Sequence, residues 1–273
     1  MRGSPVCAER SDRPRRPARA ADVAREAAIL AGAGAAILLQ VAHRPVGAGV
    51  AAHSRFTEDP LARLRHTLGY IYAVTLPEAA GARDAVVARV RDRHAPVRGT
   101  DAGGAPYDAA DPDAQLWVAA TLYWAGEEVR RRVWGALPAA DADRLYRDYA
   151  VLATALDVPA DAWPADRAAF RTYWDDAVAA LEVTDDARRI AADLFSGTGL
   201  PASLRAVLPL ARFVTRGLLP PRVRAGLGWT WSGRDSAREA RLWSLTRAVY
   251  PRLPAPVRGA VATWIVRGLP TSS

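Results

Sequence analysis

Apolar residues recur at three- and four-residue steps along most of this chain, the period of a helix with one buried face. Leu61, Leu64 and Leu68 form one such stripe. Asp59 followed by Pro60 supplies an N-cap and a first-turn proline, which predicts a helix over residues 60–75. Leu76-Pro77-Glu78 opens the next, which runs to His94 and stops before Pro96. Residues 98–110, with three Gly, one Pro and Asp101, read as a loop. Asp111-Pro112 begins a helix that carries Leu116, Trp117, Val118, Thr121, Leu122 and Trp124. Pro138 and Asp141 begin another, to about residue 156. Residues 164–181 place Phe170, Tyr173, Trp174, Val178 and Leu181 on one side of a further helix. Ser196-Gly197-Thr198-Gly199 is a break, and Pro-punctuated helices follow to about residue 268. No strand-like alternation persists and no internal repeat is visible. The expected class is all-α: a single helical domain over residues 22–268, after an Arg/Pro-rich tail (1–21) that reads as disordered and before a short C-terminal tail (269–273).

The apolar run Ala27 to Ala42 is shorter than the ~20 residues that span a bilayer, and it reads as a buried core helix. Standing after Arg15-Arg16 it also resembles a twin-arginine signal. Against that, Glu26 starts the run, Gln40 and His43 end it, and no small-residue cleavage site follows cleanly. A cytoplasmic location, with or without membrane association, therefore ranks above export.

Composition narrows the chemistry. All 37 basic residues are Arg, so Schiff-base and P-loop lysines are excluded. Cys7 is the one cysteine, which excludes an internal disulfide, a Cys-based zinc site and an iron–sulfur cluster. The net charge of +8 is unevenly spread: +4 over residues 1–25, −6 over 26–203 and +10 over 204–273.

All four histidines, His43, His53, His66 and His94, fall between Gln40 and Gly99. On a helix Arg63, His66, Thr67 and Tyr70 share one face, beside the Leu61, Leu64 and Leu68 stripe. Polar groups so close to an interior are paired with each other or face a polar ligand, because burial without a partner costs several kcal/mol. A structural hydrogen-bond network or a solvated flank explains that face as well, and from spacing alone ranks first. His94 ends its helix, as a partner of the helix dipole or as a ligand aimed into a pocket. His43 reads as a helix terminus and His53 as a turn or pocket wall. The pairs Glu127-Glu128, Asp175-Asp176 and Asp185-Asp186 read as solvated faces. No G-x-S-x-G, H-E-x-x-H, P-loop or dinucleotide fingerprint is present.

An ordered series of motifs goes further. It comprises Leu38-Leu39-Gln40-Val41-Ala42-His43-Arg44-Pro45; Gly49-Val50-Ala51-Ala52-His53-Ser54-Arg55-Phe56; Asp59-Pro60-Leu61-x-Arg63-Leu64-x-x-Thr67; His94-x-x-Val97-x-Gly99; and Tyr107-x-Ala109-x-Asp111-Pro112 with Trp117-Val118. Together they resemble the MpaB and latex-clearing-protein (rubber oxygenase) family, with weaker similarity through Leu219-Pro220-Pro221 to Trp229. The resemblance implies a helical fold with a globin-like core that holds haem b, plus C-terminal helices. It also implies an oxidoreductase that uses O2 on a lipophilic, isoprenoid or otherwise unsaturated substrate. It makes His94 the proximal iron ligand and puts Arg63 and Thr67 in the haem pocket. His66 stands where rubber oxygenases carry a lysine able to ligate the distal side. An imidazole there implies a second axial ligand or a distal hydrogen-bond donor. Ala119 stands where many relatives have His, and no residue matches the acid proposed as base in rubber oxygenases, so haem carries over more firmly than double-bond cleavage. The expected site is thus His66, Arg63 and Thr67 for catalysis, with His94 on the iron and Arg63 or Arg65 on a propionate. A haem carrier or sensor without turnover is the alternative from the binding class. A cofactor-free protein of anionic membrane surfaces is the third.

Residues 204–273 combine 12 Arg with Trp229, Trp231, Trp243 and Trp264. Arg-rich solvent faces are the first reading and a peripheral contact with anionic membrane the second. Nucleic acid ranks last, because no recognition module appears and residues 26–203 are acidic.

Overall fold

A computed structural model describes residues 16–53 and 60–270. Its regular elements are helices apart from one small hairpin, as the periodicity predicts. The N-terminal part comprises α1 (Ala20–Arg25), a 3-10 segment (Ala27–Gly32), α2 (Ala33–Ala42) and α3 (Arg44–His53). A helical hairpin follows, α4 (Pro60–Thr75) and α5 (Arg83–His94), joined by a 3-10 turn over Pro77–Ala82. Next come β1 (Arg98–Thr100), β2 (Pro106–Asp108) and the 23-residue α6 (Pro112–Trp134). Beyond α6 lie α7 (Ala139–Tyr149), α8 (Val151–Thr154), α9 (Arg167–Ala180) and α10 (Asp185–Leu194). The C-terminal region holds α11 (Ala202–Arg205), α12 (Leu208–Leu218), α13 (Pro221–Gly226), α14 (Gly233–Val249), α15 (Ala255–Arg258) and α16 (Ala260–Arg267).

The caps explain the boundaries. Asp111 accepts from the Asp113 and Ala114 amides to start α6, and Asp166 does the same for α9 through Ala168 and Ala169. Three expected continuous helices are interrupted: the 27–42 and 77–94 runs begin as 3-10 turns, and the helix from Pro138 breaks at Ala150. Helix α3 was not apparent in the pattern. Its Pro45 stands in the first turn, where a missing N–H costs nothing, and the chain bends by 102° between the run ending at Ala42 and α3. The expected loop 98–110 contains an antiparallel hairpin in which Gly99 pairs with Tyr107. Cys7, Arg15, the stretch Ser54-Arg55-Phe56 and the Asp59 cap lie outside the described residues. No single helix among those described is long and apolar enough to cross a membrane.

Helix α6 is the axis of the core and packs against α2, the 27–32 segment and α14. Its Trp117, 1 % exposed, donates from Nε1 to the Leu39 carbonyl at 3.1 Å and stacks on Trp174 of α9 at 5.4 Å. Tyr123 meets Phe170 edge-on at 4.8 Å. Glu127 and Glu128 do not lie on a solvated face. Glu127 pairs with the fully buried Arg130, and the half-buried Glu128 pairs with Arg131, itself exposed, and Arg132. Asp175 and Asp176 are solvent-exposed as expected.

Candidate functional site

A cavity of about 340 Å³ opens between α2, α4, α6 and the 200–211 segment. Small residues create it. Gly32, Ala33, Ala36, Ala125 and Gly126 all line it, and Gly32 lets its segment approach Ala125 closely, where a Cβ would stand 3.2 Å from the Ala125 Cβ. Leu64, Leu68, Ile71 and Leu122 make the rest apolar. Thr67, Leu204 and Val207 line it and are solvent-exposed, which locates its opening.

Few polar groups reach the wall. Gln40 donates to Thr121 Oγ1 at 3.0 Å, and Thr75 donates to the Ile71 carbonyl at 2.6 Å, so both are satisfied within the protein. Arg63 and Thr67 lie one turn apart on α4 and both line the cavity. Burial pulls the Arg63 guanidinium below its usual pKa, though it remains a cation at neutral pH.

His94, at the end of α5, is half-buried, feels the Arg63 charge, and does not line the cavity. Burial, and then the Arg63 charge, hold its pKa below the ordinary imidazole value, so it is neutral at pH 7. Its Nδ1 is buried with no hydrogen-bond partner among the described residues. Such a group costs about 1–3 kcal/mol, and in a folded protein it asks for an explanation.

The other residues of the expected site point elsewhere. His66 is exposed, with Nε2 3.5 Å from an Arg93 nitrogen on α5. Arg65 is exposed and lies over the Trp264 ring, 5.1 Å from its centroid. Tyr70 is buried and donates to the Leu152 carbonyl at 2.7 Å, which makes it structural. His43 stacks on Trp117 with centroids 6.1 Å apart and ends α2. His53 shares a hydrogen bond with Tyr107 across 3.1 Å.

The residues around His94 explain its motif. A Cβ on Gly99 would stand 2.8 Å from the Tyr107 hydroxyl, so only glycine lets that ring cross the hairpin. Tyr107 and Val97 pack against Gly49 of α3. Arg44 grips Asp101 with Nε at 2.5 Å and a second nitrogen at 3.2 Å. The hairpin is thereby clamped to α3, which fixes the chain leaving His94. The small-residue cavity wall was missed in the sequence. Its signal is Ala31-Gly32-Ala33-Gly34-Ala35-Ala36, an unusually small-sided stretch in a core helix.

An uncharacterized protein of Mycobacterium tuberculosis is 33% identical over 223 residues, which covers 80% of this chain and 87% of the relative. An uncharacterized protein of Mycobacterium bovis matches to the same extent. No solved structure matches. A family model described as ER-bound oxygenase mpaB/B'/rubber oxygenase, catalytic domain, matches residues 21–250, a span that takes in the cavity, Arg63, Thr67 and His94. The chain belongs to that family of oxygenase catalytic domains.

Proposed function

We propose that the protein is a haem b-dependent oxygenase that acts with O2 on a lipophilic substrate, in which His94 would hold the iron. The observation that carries this reading is the buried, unsatisfied Nδ1 of His94, an imidazole whose charged form is disfavoured by burial and by the charge of Arg63, which lines an apolar cavity. The donor set suits haem better than a bare ion. Among the described residues no three His, Cys, Asp or Glu side chains gather around one point. Haem asks for less: one strong axial donor, an apolar slot and a cation for its propionates. Bound beside His94, it supplies a redox-active iron for oxygen chemistry.

The protein's own residues do the rest. His94 offers a lone pair without first losing a proton. Arg63 is placed to hold an anionic group at the cavity edge, and Thr67 offers a hydroxyl at the opening. The Leu and Ile walls exclude water and accept an apolar chain. Arg65 would have to leave Trp264, and His66 turn away from Arg93, before either joined them.

The test is an absorption spectrum of the purified, haem-supplemented protein: oxidised, dithionite-reduced and with CO. A Soret band that shifts with CO is expected, and His94→Ala should abolish haem loading. A full Soret band in that variant defeats the ligand assignment. No band in the wild type defeats the haem reading.

A peripheral contact with anionic membrane accompanies this reading, at the cytoplasmic face. Leu204 and Val207, 40 % and 52 % exposed, flank the cavity opening within the most basic part of the chain. Sedimentation with anionic but not neutral vesicles is expected, and sedimentation with neither refutes it.

A further inference from the structure

A second cavity, of about 610 Å³, lies on the other side of Leu208, which lines both. Its chemistry is different. Arg205, Arg212 and Arg216 all line it, and no Asp or Glu does. Three like charges around one concavity repel each other, and a partly enclosed site screens them less than open solvent. The fold nevertheless holds them there. The Arg212 guanidinium lies over Trp229 at 5.3 Å, and that of Arg216 over Trp231 at 5.6 Å. The Arg205 stem lies over Gly197, where a Cβ would stand 3.2 Å from its Cγ and Cδ, and Gly197 has φ +77, so the turn needs glycine twice over.

The hydrogen-bonding capacity of these groups is not used up. One Arg216 nitrogen donates to the Thr230 carbonyl, but its Nε is buried with no partner among the described residues. Asp235 is within electrostatic range of Arg216 but does not line the pocket, and its Oδ2 accepts from the Ser232 amide at 2.9 Å and hydroxyl at 2.7 Å. Planar guanidinium forks held on aromatic faces are the usual protein answer to a phosphate group.

We propose that this pocket binds a phosphate-type anion through Arg205, Arg212 and Arg216. The chemistry is shared by a free phosphate or pyrophosphate and by a phospholipid headgroup. The site rests on its own geometry and not on the haem reading.

The test uses the full chain and the fluorescence of its tryptophans, one of which, Trp229, lies in the pocket wall. Inorganic pyrophosphate is titrated, and in parallel vesicles of phosphatidylcholine with and without phosphatidylglycerol. Saturable binding to the wild type is expected. Arg205→Gln/Arg212→Gln should weaken it at least about tenfold, the effect of losing charge-assisted hydrogen bonds. Arg83→Gln/Arg89→Gln, which removes the same charge from exposed positions of α5, should leave it unchanged. Arg212→Lys keeps the charge and loses the fork; partial weakening is expected, and it keeps the test valid if the double variant does not fold. Response to pyrophosphate with arginine dependence assigns a free phosphate ligand. Response only to phosphatidylglycerol vesicles, with the same dependence, assigns a headgroup. Vesicle binding that survives Arg205→Gln/Arg212→Gln leaves the membrane contact standing and overturns the site. Absence of any response, or equal loss in the α5 control, overturns it too.

Discussion

Arg130 is the most deeply buried charge among the described residues, and replacing it tests how α6 is held. Its side chain is 0 % exposed. Nε and a terminal nitrogen contact the two Glu127 oxygens at 2.5 and 2.7 Å, and the other terminal nitrogen donates to the Gly135 carbonyl at 3.0 Å. Arg130→Met keeps most of the apolar stem and removes all three contacts. Breaking a buried ion pair from one side costs about 3–5 kcal/mol, because the abandoned partner stays charged in a poor solvent. Glu127 is 25 % exposed, so water recovers part of that loss and the lower end applies, near 3 kcal/mol. For a chain of this size that lowers Tm by roughly 5 °C. Thermal and urea unfolding followed by far-UV circular dichroism measure it. The companion variant Glu127→Gln/Arg130→Met leaves no buried charge and should recover more than half of the loss. A single-variant loss below about 1 kcal/mol, or no recovery in the double variant, refutes the argument that an abandoned charge dominates.

Three further outcomes are expected. Asp101 is held down at about 2 by the Arg44 guanidinium and by the Ala105 and Gly103 amides. With an unfolded value near 3.9, the clamp it provides is fully present above about pH 4 and is lost as pH falls through 2. A carboxyl NMR titration with a midpoint near the unfolded value would contradict this. His43 is depressed by burial, against smaller opposing effects from Asp111 and Asp113. Its contribution to stability is therefore present above about pH 6.5 and declines as pH falls below it. His43→Phe, which keeps a ring on Trp117, should flatten that part of the pH–stability curve; an unchanged curve excludes His43 as the cause. Ala36→Phe should fill the apolar cavity and abolish uptake of an apolar fluorescent probe, with stability changed by less than about 2 kcal/mol. Undiminished uptake would place the probe elsewhere.

The helices were legible where local chemistry and burial agree. Asp111-Pro112 capped α6, and the Phe170 to Leu181 stripe marked α9. The hairpin was not, because strands of three residues carry no periodic signal. It exists through the Asp101 turn and the grip of Arg44, a contact 57 residues away in the chain. The shared face of Arg63, His66 and Thr67 was only partly informative. Neighbours on a helix point about 100° apart, so Thr67 reaches the cavity while His66 turns towards α5. Two steps from Arg63, Arg65 turns to α16 and Trp264. Spacing defines such a face, but the surrounding helices decide which part of it becomes a site.

Arg63 and His94 are linked electrostatically. Arg63 is the one charged residue on the apolar cavity wall among those described, a placement that costs desolvation. Its cation also acts on His94, where it adds to burial in disfavouring the imidazolium. In the proposed haem site the same charge would draw an anion to the cavity edge and favour the neutral, ligating form of the imidazole. Residues 31 apart in sequence are joined in this by the antiparallel turn of α4 on α5, and the hairpin clamp on α3 holds the α5 end in place.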